Sequence, residues 1–395
     1  MQPIDLILLL LALLGHCALW VGILNRIHSV GIKRKKVNWV TIFGLAILPL
    51  TPIVVCVVMF VGRMNWAVSR LPAKGPWWPL VYLVPCWGVG LAVSLRWLAR
   101  KLRGQRPNLL LENHSRDVDV SARLGYRPVR GFVGRSLGWI PGEQSLTLRV
   151  QEKTIELPRL PESLDGLRIL HLSDFHFTGR IQPAYFEEVV RSALETPADL
   201  IALTGDFVDN TECIDWLAST VGRLQARLGV YFVLGNHDRK VVDVPRLRKT
   251  LVECGFVDLG GRWQQLEVAG QAVVLAGNEL PWLGPEPDLS NCPGNAGKDW
   301  VPRILLAHTP DQWPWAVSND FDLMLAGHTH GGQVCVPLVG PIFCPSKHGV
   351  EMASGVFYKL PTVVHVTRGV SGEFPLRWNC PPEAATLILR ASRPS

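Results

Sequence analysis

The stretch "LAGHTHGGQV", residues 325–334, places His328 and His330 one residue apart directly after an apolar run. No apolar periodicity around them points to burial. The neighbouring glycines permit backbone conformations closed to other residues and let a ligand approach closely. Four other stretches end in the same way. "LRILHLSDFH" delivers Asp174 and His176, "ADLIALTGDFVD" delivers Asp206, "GVYFVLGNHD" delivers Asn236, His237 and Asp238, and "RILLAHTP" delivers His308. Asp and Asn are common in turns, but turn chemistry does not account for the histidines, and His is a common metal ligand. Carboxylate, amide oxygen and imidazole without thiolate suit Mn2+, Fe or Zn2+, and do not suit a Cys-type structural zinc site. The groups collected in this way are too many for one ion. Two ions ~3.5–4 Å apart, sharing a carboxylate, form the recurring site for phosphoester hydrolysis.

Groups so far apart in sequence need a scaffold. Each follows a run of four to six apolar residues, with helical patterns between them, as at Pro183 to Leu194 and Val244 to Cys254. Short buried strands alternating with helices give an α/β core, and ligands of such sheets bind outside the carboxyl ends of the strands. His171 reads as a core or supporting histidine. The Pro- and Gly-rich segment 281–301 reads either as a lid or as a surface loop.

The order DFH, GDFVD, GNHD, AH, GHTH resembles the calcineurin-like metallophosphoesterase superfamily over roughly residues 165–392. "GHTHGGQ" and "TRGVSGEFPLRWNCPPE" are similar to its membrane-associated bacterial branch, which includes phosphodiesterases and a UDP-2,3-diacylglucosamine pyrophosphohydrolase. The resemblance implies a sandwich of two β-sheets flanked by helices. It implies that Asp174, His176 and His330 bind one metal, that Asn236, His308 and His328 bind a second, and that Asp206 bridges them. His237 would face the phosphate and protonate the leaving oxygen, with Asp238 orienting it. The two ions, Mn2+ first and Fe or Zn2+ as alternatives, would activate a bridging water. Ala307, where the family often has Gly, is the one visible departure. Lys347, His348, Arg368 and Arg377 are candidates to hold a second phosphate, with surface charge as the alternative.

Ahead of this region lie three apolar runs, Ile4 to Leu24, Val40 to Val61 and Trp77 to Leu95. Each approaches the roughly 20 residues a bilayer-crossing helix needs. Trp39, Trp66, Trp77, Trp78 and Trp97 cluster near their ends, as interfacial anchors do. The first run lacks the basic start of a cleaved signal peptide. The expectation is therefore three transmembrane helices over residues 1–106, a connector with a short hairpin over 107–160, and a catalytic domain over 161–395.

Arg26, Lys33, Arg34, Lys35 and Lys36 fall in the first loop, and Arg96, Arg100, Lys101, Arg103 and Arg106 follow the third run; Arg63, Arg70 and Lys74 lie between the second and third. Ten charges against three place the N-terminus outside and the catalytic domain in the cytoplasm of an inner membrane. The net charge of +7 then reflects membrane orientation, and no strand-binding groove for nucleic acid is visible. Nine cysteines with no CxxC pair fit a reducing compartment. Expected partners are the bilayer and a phosphorylated, lipid-linked substrate. Hydrolysis of soluble phosphodiesters or nucleotides is the alternative, and an inactive membrane scaffold is a third.

Overall fold

The computed structural model describes residues 3–30, 34–61, 78–103, 109–241, 243–293 and 300–392. The chain divides into two units, Met1–Gln105 and Arg106–Ser395.

The first unit contains α1 (Pro3–His28), α2 (Arg34–Val61) and α3 (Trp78–Arg103). α1 and α3 pack where Gly15 faces Gly90. A Cβ on Gly15 would lie 1.7 Å from the Cys86 carbonyl oxygen, so only glycine admits the contact. Small residues at such crossings let apolar helices approach closely. His16 packs within this unit, with Nδ1 2.6 Å from the Tyr82 hydroxyl and Nε2 3.1 Å from the Leu48 carbonyl.

The expected three spans become two. Pro3–His28 and Leu80–Ala99 are long and apolar enough to cross a bilayer, whereas the apolar stretch of α2 among the described residues is Trp39–Val54. The side chains of the remaining turns of α2 lie outside the described residues. So do Arg63, Trp66, Arg70, Lys74 and Trp77.

The second unit runs β1 (Leu110–Asp119), α4 (Val120–Leu124), α5 (Phe132–Leu137), β2 (Thr147–Leu157), β3 (Arg168–Leu172), α6 (Pro183–Leu194), β4 (Leu200–Thr204), β5 (Val230–Val233) and α7 (Val244–Glu253). It continues with β6 (Val257–Asp258), β7 (Trp263–Val268), β8 (Gln271–Asn278), β9 (Arg303–Ala307), α8 (Trp313–Ser318), β10 (Leu323–Ala326), β11 (Cys335–Val336) and β12 (Gly340–Pro341). β13 (Gly355–Lys359), β14 (Thr362–Val366) and β15 (Glu383–Ala391) complete it.

Two mixed sheets result, in the orders β1-β2-β15-β3-β4-β5-β6 and β13-β14-β10-β9-β8-β7. β3 to β6 are mutually parallel, as are β8, β9, β10 and β14. Alternate residues of each central strand enter different layers. Leu200 and Ala202 of β4 pack between the sheets with Leu306 and Leu325, while Ile201 and Leu203 pack against Phe186 and Val190 of α6. Met324 and Val366 face α8 through Ala316 and Phe321. Burial on both faces is why these strands read as unbroken apolar runs.

The expected hairpin in 107–160 is instead a single strand, β2. No turn residue interrupts it, and it pairs with β1 on one side and with β15 on the other. The connector thus supplies two strands of the larger sheet.

Candidate metal centre

The carboxyl ends of β3, β4 and β5 in one sheet meet those of β9 and β10 in the other. The turns that follow are unusual. Asp174, His176, Asp206, His328 and His330 all take positive φ, between 48° and 70°. That region costs an L-residue roughly 1–2 kcal/mol, and such residues gather where the surrounding structure fixes them for a purpose. Backbone bonds do the fixing: Asp174 N–H donates to the Gly205 carbonyl and His176 N–H to the Asp206 carbonyl, each at 2.9 Å. Two glycines make room. A Cβ on Gly235 would stand 2.2 Å from Asp206 Oδ1, and one on Gly327 would stand 2.4 Å from Asp174 Oδ2.

Potential ligand atoms gather in groups. Asp174, His176 and His330 form one, and Asp206, His308 and His328 form another, with the chosen atoms of each group within 4.8 Å of one another. Asn236 joins the second, its Oδ1 3.0 Å from His308 Nε2. Asp206 Oδ2 lies between the groups, 3.5 Å from His176 Nε2 and 3.2 Å from His308 Nε2.

The protons on these rings point away from the centre. His308 Nδ1 donates to the Thr204 carbonyl at 2.7 Å. His176 Nδ1 donates to Asp209 Oδ2 at 2.7 Å, and His330 Nδ1 faces the Ser371 carbonyl at 3.2 Å. With neutral rings, the lone pairs of His176 Nε2 and His330 Nε2 would oppose each other at 3.1 Å. Asp206 Oδ2 and His328 Nε2 are buried without a hydrogen bond. Acceptors facing acceptors in a dry site are costly unless a cation sits among them. The donor set therefore fits two divalent ions.

Charge tells the same story. Burial opposes a charged ring at His308, but Asp206 and Asp174 outweigh it and lift the pKa to about 9. Burial opposes charge on His176 too, and Asp209 with Asp174 again prevails, holding it well above the ordinary value. At His328 burial and the neighbouring His308 push the pKa well down, and at His330 burial, His176 and Arg377 push it to about 3. The carboxylates demand positive charge at their centre, yet the enclosed space does not accept it on every imidazole.

His237 stands at the edge of the groups, its ring centroid 4.5 Å from that of His176. Asp238 does not orient it. The Asp238 carboxylate accepts from the backbone N–H groups of Asp206, Phe207, Val208 and Gly235, at 2.8 to 3.0 Å, and so clamps two strand-end turns together. The carboxylate against the His237 ring is that of Asp209, which bonds Nδ1 of both His237 and His176. Lys240 Nζ lies 2.9 Å from His237 Nε2. Asp209 and Lys240 went unread in the sequence, although "GDFVD" and "GNHDRK" contain them.

Arg377 and Arg368 are engaged elsewhere. Arg377 is 1% exposed and donates to the His330 carbonyl at 2.8 Å and to the Ser371 carbonyl, so it braces the His330 loop. Arg368 is held by Glu383 at 3.0 Å and Gln151 at 3.1 Å. Lys347 keeps an exposed side chain while its N–H donates to Asp311, and His348 N–H donates to Ser346 Oγ. His171 has the supporting role expected. It bonds Thr204 Oγ1 at 2.9 Å and His365 Nδ1 at 2.8 Å, in a buried chain that continues through Lys153 to Glu383.

From the segment 281–301, Trp282 packs on His328 and His308 with centroids 4.8 and 5.6 Å apart. Residues 294–299 of that segment lie outside the described residues.

Residues 167–332 match the calcineurin-like phosphoesterase family. The Escherichia coli (strain K12) phosphodiesterase YaeI is 31% identical over 227 residues, which are 56% of this chain and 82% of that protein. The chain belongs to the calcineurin-like metallophosphoesterases. It is a hydrolase of that family, and its His/Asp clusters are consistent with a dinuclear metal site. The uncharacterized metallophosphoesterase YkuE of Bacillus subtilis (strain 168) is 28% identical over 250 residues, 62% of this chain and 86% of that protein. A Bos taurus transmembrane protein with metallophosphoesterase domain is 28% identical over 298 residues, 70% of this chain and 65% of that protein.

Proposed function

We propose that this chain is a membrane-anchored enzyme that hydrolyses a phosphodiester or diphosphate bond of a lipid-linked substrate at the cytoplasmic face. The observation that carries the chemistry is Asp206 Oδ2, buried, without a hydrogen bond, and set between two groups of outward-protonated imidazoles. In this reading Asp174, His176 and His330 hold one ion, Asn236, His308 and His328 the other, and Asp206 both. When bound, two divalent ions supply a nucleophilic water at neutral pH and offset charge on the phosphoryl oxygens.

The chain's own residues do the rest. Asp209 fixes the ring of His176 by accepting from Nδ1, which leaves Nε2 for the ligand position. The same carboxylate holds His237, which gives a proton to the departing oxygen. Lys240 adds positive charge beside His237. Trp282 shields His308 and His328 from water on one side.

The two long apolar helices and the transmembrane relative support membrane anchoring. The test is turnover by the full chain in lipid nanodiscs. Lipid-borne diphosphates and soluble phosphodiesters would be compared at matched concentration. The proposal expects higher kcat/KM for the lipid-borne class. Equal or higher values for soluble nucleotides would transfer the assignment to soluble phosphodiesters.

A further inference from the structure

The segment between β1 and β2 carries a feature the metal centre does not use. α5 and the turn after it project Phe132 and Trp139 into solvent, each 87% exposed, with Ile140 beside them. Next to Trp139 lies a cleft of about 400 Å³ that Arg127 and Arg135 also line. Arg130 and Arg135 have no ion pair among the described residues, and Arg127 reaches Glu143 only at 3.4 Å while staying half exposed.

Trp378 ties this segment to the second unit's small hairpin. Its Nε1 donates to the Pro141 carbonyl at 3.2 Å, and its backbone bridges to Glu143 on one side and to Val334 on the other. Past Val334, the β11–β12 hairpin raises Leu338 and Val339, 80% and 60% exposed. Arg377, beside Trp378, holds the His330 carbonyl. One assembly thus carries apolar prongs, unneutralised guanidinium groups and a brace for the metal-site loop.

A contiguous group of large apolar side chains left in water marks a contact surface. Tryptophan together with Arg is the composition of membrane interfaces, where the ring enters the headgroup layer and the cation meets lipid phosphate. Free guanidinium groups also call for an anionic surface, and a chain with two helices able to cross a bilayer has one at hand. We propose that the face formed by Phe132, Trp139, Ile140, Leu338 and Val339, with Arg127, Arg130 and Arg135, docks on an anionic lipid surface. The proposal rests on the reading that this chain is held at a membrane.

The experiment is hydrogen exchange of the full chain in nanodiscs of phosphatidylglycerol and of phosphatidylcholine. Segments 127–141 and 335–343 should exchange more slowly in phosphatidylglycerol. Phe132→Ser with Trp139→Ser should abolish the difference. Each Arg→Gln at 127, 130 or 135 should lessen protection about fivefold, the effect of one basic residue near such a surface. Metal content and turnover of bis(p-nitrophenyl) phosphate report whether the variants fold, and they test the phosphoesterase reading separately. Equal exchange in the two lipids would overturn the docking face while leaving that reading intact. Protection that followed the number of copies per disc, and not lipid charge, would also overturn it and make the face a contact between copies.

Discussion

Asp209 bonds two imidazoles at once, and the two do different work. His237 carries no ligand role in this account, so His237→Ala should keep its metal while turnover falls by about 10²–10⁴-fold, the loss expected for a proton donor. The loss should shrink for p-nitrophenyl esters, whose leaving group needs less protonation. Equal losses for good and poor leaving groups would remove the acid role. Asp209→Asn acts on both rings and should also weaken metal binding, by about 10–100-fold for a lost partner of a ligating His. The imidazole pKa directions give a further test. His308, lifted to about 9, holds a proton at neutral pH that an incoming ion must displace. Metal affinity should therefore rise with pH by at least about tenfold per unit below that value, with the His176 proton adding to the dependence. Calorimetry in buffers of different ionisation enthalpy reads the released proton directly, and a flat affinity between pH 7 and 9 would contradict the assignment.

At the scale of elements, the centre depends on how tightly five strand ends close on one another. Gly235→Ala pushes a methyl group into Asp206 Oδ1. It should cost about 1–3 kcal/mol, as overpacking does, and lower metal content. Unfolding melts with and without chelator separate the two effects, and a variant with full metal and an unchanged melt would show that the turn has slack. The strands bearing these ends were legible in the sequence because they are buried on both faces and each stops at a turn rich in Gly, Asp or His. α6 and α7 were legible from their periodicity and from Pro near each start. Pairing was not. β15 inserts between β2 and β3 although more than two hundred residues separate it from them, and no local pattern encodes that. β2 looked like a hairpin because "LTLRVQEKTIELP" alternates between apolar and polar residues, yet it is one strand whose Lys153 is buried against Glu383 and His365. Asp238 illustrates the same gap. "GNHD" shows the carboxylate but not the four backbone N–H groups it accepts from, which come mostly from another strand end.

For the whole molecule, the proposal assigns holding to the first unit and hydrolysis to the second. The hydrophobic clusters of the sandwich and all seven proposed ligands belong to the second unit. A chain beginning near residue 106 should therefore fold, bind metal and turn over a small soluble ester as the full chain does. Turnover of a lipid-linked substrate in vesicles should fall, since a tethered enzyme meets bilayer lipid at high effective concentration. Unchanged vesicle turnover after truncation would argue for a soluble substrate. The central claim is that Asp206 joins two ions into one hydrolytic centre. The most direct measurement is metal content per chain, with phosphodiester turnover, for the full chain and for Asp206→Asn. The account predicts about two ions and measurable turnover in the natural chain, and in the variant loss of bound metal together with loss of turnover. Full metal occupancy in Asp206→Asn with activity within a few-fold of the natural chain would contradict it.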